Sequence, residues 1–324
     1  MNDLNTVYKL VTIFLYSVFF TYAAVYYFKK KCVKYGYLVE DKYKPGKPKI
    51  PTLGGIPMFV GVMASLSLSQ LLVKNGAIGK LFIFYFVVTV YTLYGVVDDM
   101  FSFKQRYDKI LILLVLSLPI ASLISINTIS VFGHSFYFDG FLPYLLVPLY
   151  IMVVANLVNV YSGFNGLATG LTLIMFIFAG VKSYLVSGLD NLIYLLPCFG
   201  ALLVFYFFNK YPASFHEGNV GAFMIGSTLG AFLIISKLEV FGLLLLLPHI
   251  VNFILDTWVL TIRKVPDVKF GRVRRDGTIE VPYTVRHKSL KFIAAHYLKL
   301  TESSAVWLLY IPTIICGLIG VWYL

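Results

Sequence analysis

Runs of about 20 mostly apolar residues recur along this chain, and no other feature restricts its fold as much. That length is what an α-helix needs to cross the hydrocarbon of a bilayer. Ten such runs occur, at roughly 6–28, 52–73, 81–97, 110–126, 142–160, 167–187, 190–208, 220–236, 240–262 and 304–323. Composition agrees: of 324 residues 59% are hydrophobic and 13% charged, about half the charged share of a soluble globular domain. The expected fold is an all-α integral membrane protein of about ten transmembrane helices, forming one domain over residues 1–324. The first run is too long for a cleavable signal peptide and lacks a small-residue cleavage site, so it reads as a spanning helix that stays. The sixth and seventh runs are divided by the short turn Ser187–Gly188–Leu189–Asp190. Cys32, Cys198 and Cys316 lie far apart, without pairing or metal spacing, and read as small apolar residues in or near helices.

The net charge of +12 could suggest nucleic acid, but its distribution points to a membrane. The first loop, Lys29 to Lys49, holds eight lysines. The third carries Lys104, Arg106 and Lys109, the seventh Lys210, and the ninth, Arg263 to Lys299, ten basic residues. The odd loops therefore hold 22 of the 27 basic residues, and the other side five. Lysine and arginine stay in the cytoplasm, so the odd loops are expected inside and both termini outside. The ninth loop, 263–303, is too long for a plain connector. Its Asp276–Gly277 step among β-formers predicts a small hairpin, and Ser289 to Leu300 predicts a short amphipathic helix at the membrane surface.

Polar and ionisable groups near membrane depth are costly, which makes them candidates for function. Here they collect in or beside the odd loops. Asp98 and Asp99 close the third helix; Asn156 and Asn159 stand one turn apart at the inner end of the fifth. Tyr161–Ser162–Gly163–Phe164–Asn165–Gly166 is a turn whose glycines let backbone approach a ligand. Asn209 to Pro212 end the seventh helix, His216–Glu217–Gly218–Asn219 leads into the eighth, and Pro51–Thr52–Leu53–Gly54–Gly55 opens the second. Taken singly, each has a plain structural reading as a solvated helix end, a cap or a turn. Together, oxygen ligands from Asp and Asn beside many cations suit Mg²⁺ with a phosphorylated substrate. His134, His249 and Asp139 lack such company and read as structural or exposed. Asp256, one turn after Asn252, could line the site or pair with a neighbouring helix.

With these residues in view, the chain resembles the polyprenyl-phosphate N-acetylhexosamine-1-phosphate transferase family. The resemblance runs through Pro51–Gly55, Gly95–Asp99, Asn156–Gly170 and Asn209–Gly221. The run Asn156-x-x-Asn159-x-x-x-Gly163-x-Asn165-Gly166-Leu167 is similar to the eukaryotic, dolichyl-phosphate branch, as is Tyr283 to Leu290. The bacterial translocase's histidine triplet is missing, and the combination suggests an archaeal enzyme. Position by position, the resemblance implies that Asp98 and Asp99 are catalytic, and that Lys109 binds a phosphate. It implies that Asn159 contacts Mg²⁺ (with Mn²⁺ as a substitute) and that Asn165, with Gly166 and Asn156 beside it, helps to hold uridine. The family departs from this chain twice. Its metal-binding aspartate is Asn219 here, for which Glu217 either compensates or only pairs with a lysine such as Lys210. Its Arg-His-Arg cluster falls near Asp267–Val268–Lys269, where Lys269, Arg272 and Arg274 are the substitutes for the sugar-phosphate contact.

The resemblance implies attack by a membrane polyprenyl or dolichyl phosphate on a UDP-N-acetylhexosamine, most simply UDP-GlcNAc, at the cytoplasmic face of the cell membrane. UMP leaves. The partners implied are those two substrates and the membrane, with no nucleic acid; a homodimer is compatible with the sequence. The competing reading is a secondary transporter with a polar site near the cytoplasmic face. Such proteins place polar groups near the bilayer midplane and show related halves, whereas these groups sit at one face and no repeat is present. A basic membrane scaffold leaves the Asp/Asn cluster unexplained.

Overall fold

The structure is a computed structural model that describes residues 2–44, 46–72, 78–101, 106–121, 126–131, 134–265 and 268–324. Helices dominate it: α1 (Asn2–Tyr35), α2 (Gly55–Leu72), α3 (Ile78–Phe101), α4 (Arg106–Ala121), α5 (Leu142–Val160), α6 (Leu167–Ser187), α7 (Leu192–Asn209), α8 (Gly218–Ile235), α9 (Glu239–Leu245), α10 (Leu247–Thr257), α11 (Leu290–Leu298) and α12 (Glu302–Tyr323). Among the described residues a helix covers most of each of the ten expected runs, the ninth being divided between α9 and α10. Among the described residues seven helices are long and apolar enough to cross a membrane, eight if α9 and α10 with its π-helical end are one span bent by 62°. Leu246 and Pro248 mark that break: a proline in the first turn can start α10 but cannot continue α9. The apolar parts of α2 and α4, Gly55–Gln70 and Ile110–Ile120, are shorter.

Chain punctuation explains the helix ends. Gly36, at φ +77°, stops α1, and Gly188, at φ +65°, stops α6 in the turn expected there. The outward faces remain apolar, as on α12, where Trp307, Ile311, Ile315, Leu318 and Trp322 are exposed; only lipid makes such a surface favourable.

At the centre stands α8, buried nearly all round and apolar on every side, as a helix enclosed by others must be. Its small residues set how close neighbours come. A Cβ on Gly226 would lie 2.8 Å from the Cα of Ala155, and one on Gly230 3.2 Å from the Cα of Ile151, so α5 packs backbone to backbone against α8. On another side α3 does the same: a Cβ on Gly95 would be 2.4 Å from the Cα of Val220. The main core fills between these helices with Phe84, Tyr91, Phe176, Phe205, Phe223 and Phe232.

A second, smaller core lies beside one end of the bundle and joins Tyr43, Phe164, Leu171, Ile279, Phe292 and Leu309. It fastens the long 263–303 segment to the glycine turn. That segment contains the expected hairpin, β5 (Arg272–Val273) paired antiparallel with β6 (Ile279–Glu280), with Gly277 at φ +82°. Asp276, accepting from the hydroxyl and amide of Thr278, is held below the usual carboxylate range. The expected helix is α11, capped by Ser289. Two hairpins were not expected: β1 (Leu38–Glu40) with β2 (Lys49–Pro51), and β3 (Thr128–Val131) with β4 (His134–Tyr137), both antiparallel. Lysine and proline in the first obscure the alternation that marks a strand.

Candidate active site

The motifs singled out in the sequence meet at one end of the bundle. The Pro51–Gly55 segment lies against 216–217: the amide of Gly54 donates to the carbonyl of His216 (3.0 Å), that of Gly55 to Glu217 (3.0 Å), and His216 N–H to Pro51 (2.8 Å). Neither glycine tolerates a side chain. A Cβ on Gly55 would lie 2.4 Å from the amide nitrogen of Gly221, and one on Gly54 would enter the Phe205 ring. These contacts fix the first turn of α8 beside α2 and α3.

Into that turn point the two aspartates. Asp99 accepts from the backbone amides of Asn219 (3.0 Å) and Val220 (3.1 Å), one on each carboxylate oxygen. It is thus an N-terminal cap for α8 supplied by another helix, placed where backbone donors and the helix dipole favour negative charge. Asp98, buried, accepts from the side-chain amide of Asn219 at 2.8 Å through its Oδ2. The pair is divided: Asp99 holds backbone, and Asp98 holds the side chain of Asn219.

Glu217 turns elsewhere. Its Oε2 accepts from Asn209 Nδ2 (2.6 Å), while Lys210, the other suggested partner, lies over the Phe207 ring. Asn209 is the hub of this region. Fully buried, it also donates to the Phe215 carbonyl (3.2 Å) and accepts from the Gly166 amide (3.2 Å) and the Thr169 hydroxyl (2.8 Å). The Oε1 of Glu217 is enclosed without a hydrogen-bond partner among the described residues.

The glycine turn is held from four directions. Asn165 donates its backbone N–H to Glu302 (2.7 Å) and its side-chain amide to Asp41 (2.9 Å). Tyr310 donates to the Gly166 carbonyl (2.6 Å), and Lys291 to that of Ser162 (2.6 Å). Asp41 is paired with Lys44, which reaches on to the Ala213 carbonyl (3.0 Å). Tyr43 stacks edge-on against Phe164 and accepts from the Gly271 amide (3.0 Å); burial pushes its phenol up, so it stays neutral.

The remaining candidates make other contacts. Asn156 gives its amide to Met152 within its own helix (2.9 Å), and the Asn159 carbonyl accepts from the Ser162 hydroxyl (2.7 Å). Lys269, Arg272 and Arg274 are exposed, Arg274 facing Glu280 across the hairpin at 3.9 Å. Lys109 lies on α4, but its side chain, like Asp267, is outside the described residues. Asp256 takes the pairing role: it is 3.6 Å from Lys288, while Asn252 accepts from the Leu290 amide (3.0 Å), so α10 anchors α11. Sequence reasoning missed Asp41 and Glu302. Glu302 follows the cap Thr301, and an acid in the first helical turn is an ordinary sequence signal for a stabilised helix start.

Residues 81–237, a span that contains Asp98, Asp99, Asn165, Glu217 and Asn219, match glycosyl transferase family 4. The chain is 29% identical, over 86% of each chain, to a protein of Saccharolobus solfataricus provisionally named UDP-N-acetylglucosamine–dolichyl-phosphate N-acetylglucosaminephosphotransferase. A similarly named protein of Sulfolobus acidocaldarius is 26% identical over 90% of this chain and 88% of its own. The phospho-N-acetylmuramoyl-pentapeptide-transferase of Streptococcus agalactiae is 32% identical over 60% of this chain and 61% of its own. In the family 4 segment the aspartate pair ends α3 and meets the start of α8, while the contacts from Asp41, Glu302 and Lys291 come from outside it.

Proposed function

We propose that this protein is a glycosyl transferase of family 4 that moves N-acetylhexosamine-1-phosphate, specifically GlcNAc-1-phosphate, from a UDP-sugar to a membrane polyprenyl or dolichyl phosphate. It would open glycan assembly such as protein N-glycosylation, with the site at the cytoplasmic face. The observation that carries the reading is the junction of Asp98, Asp99 and Asn219, lying inside the family 4 match. Relatives named for this transfer support it, and so does the 22-to-5 loop charge.

The chemistry suits the residues. An oxygen of the lipid phosphate attacks the phosphorus bearing the sugar; a new P–O bond forms as the bond to the UMP oxygen breaks. A phosphate monoester, with its second pKa near 6, is mostly dianionic at pH 7, so a strong base adds little. Bringing a dianion against a diphosphate is the larger obstacle, and cations and positioning answer it.

A divalent cation fits the donors. Asp98 offers hard carboxylate oxygens of the kind Mg²⁺ and Mn²⁺ take; Asn219, whose Nδ2 donates to Asp98 at 2.8 Å, would offer its Oδ1, and Glu217 has an enclosed oxygen without a hydrogen bond. Among the described residues no three His, Cys, Asp or Glu side chains stand together as a metal centre, so amide oxygens from Asn219 and Asn159 would complete the ligand set. The ion would supply charge neutralisation at the transferred phosphate. Asp98 would hold that cation, Asp99 would fix the α8 turn presenting Asn219, and Lys109 would meet a phosphate. Lys269, Arg272 and Arg274 would meet the sugar phosphate, and Asn165 with Gly166 and Asn156 the uridine side.

The test is direct. Purified protein given labelled UDP-GlcNAc and a polyprenyl phosphate should release UMP and form a lipid diphosphate sugar, and should stop in EDTA. No product with any UDP-N-acetylhexosamine overturns the function; full turnover in EDTA overturns the metal alone.

A further inference from the structure

The side chain of Asn165 is an amide whose two ends have opposite chemistry: Oδ1 accepts and Nδ2 donates. Asp41 decides which end is spent. A carboxylate can only accept, and the Asp41 carboxylate is ion-paired with Lys44 beside it. Asn165 must therefore turn its Nδ2 towards Asp41, as it does at 2.9 Å. Its backbone is fixed by Glu302 at 2.7 Å, and the next residue by Asn209 and Tyr310. Among the described residues no hydrogen bond uses the Asn165 Oδ1, and that atom is not one of the enclosed, unpartnered ones. The turn thus presents a fixed acceptor.

We propose that Asp41 is a specificity-determining positioning residue: by holding the Asn165 amide with its oxygen outwards, it makes the nucleotide site select a pyrimidine that carries an N–H donor at ring position 3. Among pyrimidines uracil has such a donor at N3, and cytosine has an acceptor there. A site built to complete one hydrogen bond discriminates strongly against a partner that leaves buried polar groups unpaired. The inference rests on the reading that Asn165 meets the base of a pyrimidine nucleotide donor. It adds the residue that sets the polarity of that contact, on a loop outside the family 4 match.

The experiment measures binding of UMP and of CMP to the purified full-length protein by calorimetry, without turnover. The unaltered protein should bind UMP at least about tenfold more tightly than CMP. In Asp41→Asn the new amide can donate to Asn165 as well as accept from it, so the Asn165 amide is free to reverse. The ratio should fall to within about threefold, mainly through weaker UMP binding, while Asp41→Glu, which keeps the acceptor, should retain the preference. A folded Asp41→Asn variant with an unchanged ratio overturns the proposal. If Asp41→Asn does not fold, Asn165→Ala decides: it should level the two affinities, and a preserved ratio overturns the proposal just as firmly. An unaltered protein that binds neither nucleotide, or both alike, instead removes the donor reading beneath it.

Discussion

At the scale of single residues, two neighbouring aspartates have different work. Asp99 takes two backbone amides of the α8 start, whereas Asp98 takes one side-chain amide. Asparagine at 99 offers one acceptor oxygen and turns an NH₂ group towards a backbone N–H. Asp99→Asn should therefore lower the unfolding temperature by several degrees, as loss of a cap does, and cut turnover at least ~10²-fold. Asp98→Asn keeps an acceptor for Asn219 and should lose turnover to a similar extent with little change in unfolding temperature. Thermal unfolding in detergent beside steady-state kinetics separates the two; indistinguishable melting curves would remove the capping role. Asn219→Asp places a second carboxylate beside Asp98 and should lower the Mg²⁺ concentration needed for half-maximal activity. A metal titration giving an unchanged midpoint would show that position 219 does not ligate. These side chains were legible in the sequence because ionisable groups at the ends of apolar runs are conspicuous. Their division of labour was not, because it depends on which oxygen meets which amide across 120 residues of chain.

At the scale of elements, close approach of backbones places the site. Gly95 lets α3 touch α8 at Val220, so the aspartates one turn later reach the α8 amides. Gly95→Ala should push the two helices apart, costing about 1–3 kcal/mol as overpacking does, and should lower both melting temperature and turnover. An alanine variant with normal stability would mean that the helices can slide apart without cost. The long segment before α12 depends on another contact, the buried pair of Lys288 and Asp256, with Lys288 also donating to the Val268 carbonyl (3.0 Å). Lys288→Met leaves a buried carboxylate without its ion pair, a change of about 3–5 kcal/mol in comparable buried pairs. Limited proteolysis should then cut faster between residues 268 and 289, and an unaltered cleavage rate would show that the segment is held elsewhere. Hydrophobic length announced the helices, and Asp276–Gly277 announced one hairpin. The β1–β2 and β3–β4 pairs were hidden because short strands carry too few alternating residues to stand out, and one is flanked by the lysines of the first loop.

For the whole molecule, the outstanding geometrical question is which face of the membrane carries the site. The distribution of lysine and arginine predicts the cytoplasmic face. Single cysteines at Lys47 and Arg274, in a background lacking the half-buried Cys316, should react with an impermeant thiol reagent only from the cytoplasmic side. A cysteine at Tyr137, which is 76% exposed, should react only from outside; the reverse pattern would invert the topology. By itself the sequence determined that this chain lives in a bilayer, where its helical runs lie, and which residue types gather near one set of loops. Those properties follow from local apolar length and charge, which need no knowledge of neighbours. Only the tertiary structure decided that Asp99 caps α8, that Glu217 turns to Asn209, that Asp256 anchors α11, and that Asp41 and Glu302 orient Asn165. Most of these join residues distant in the chain, each through one or two hydrogen bonds or an ion pair, and packing selects such partners from the many donors and acceptors available.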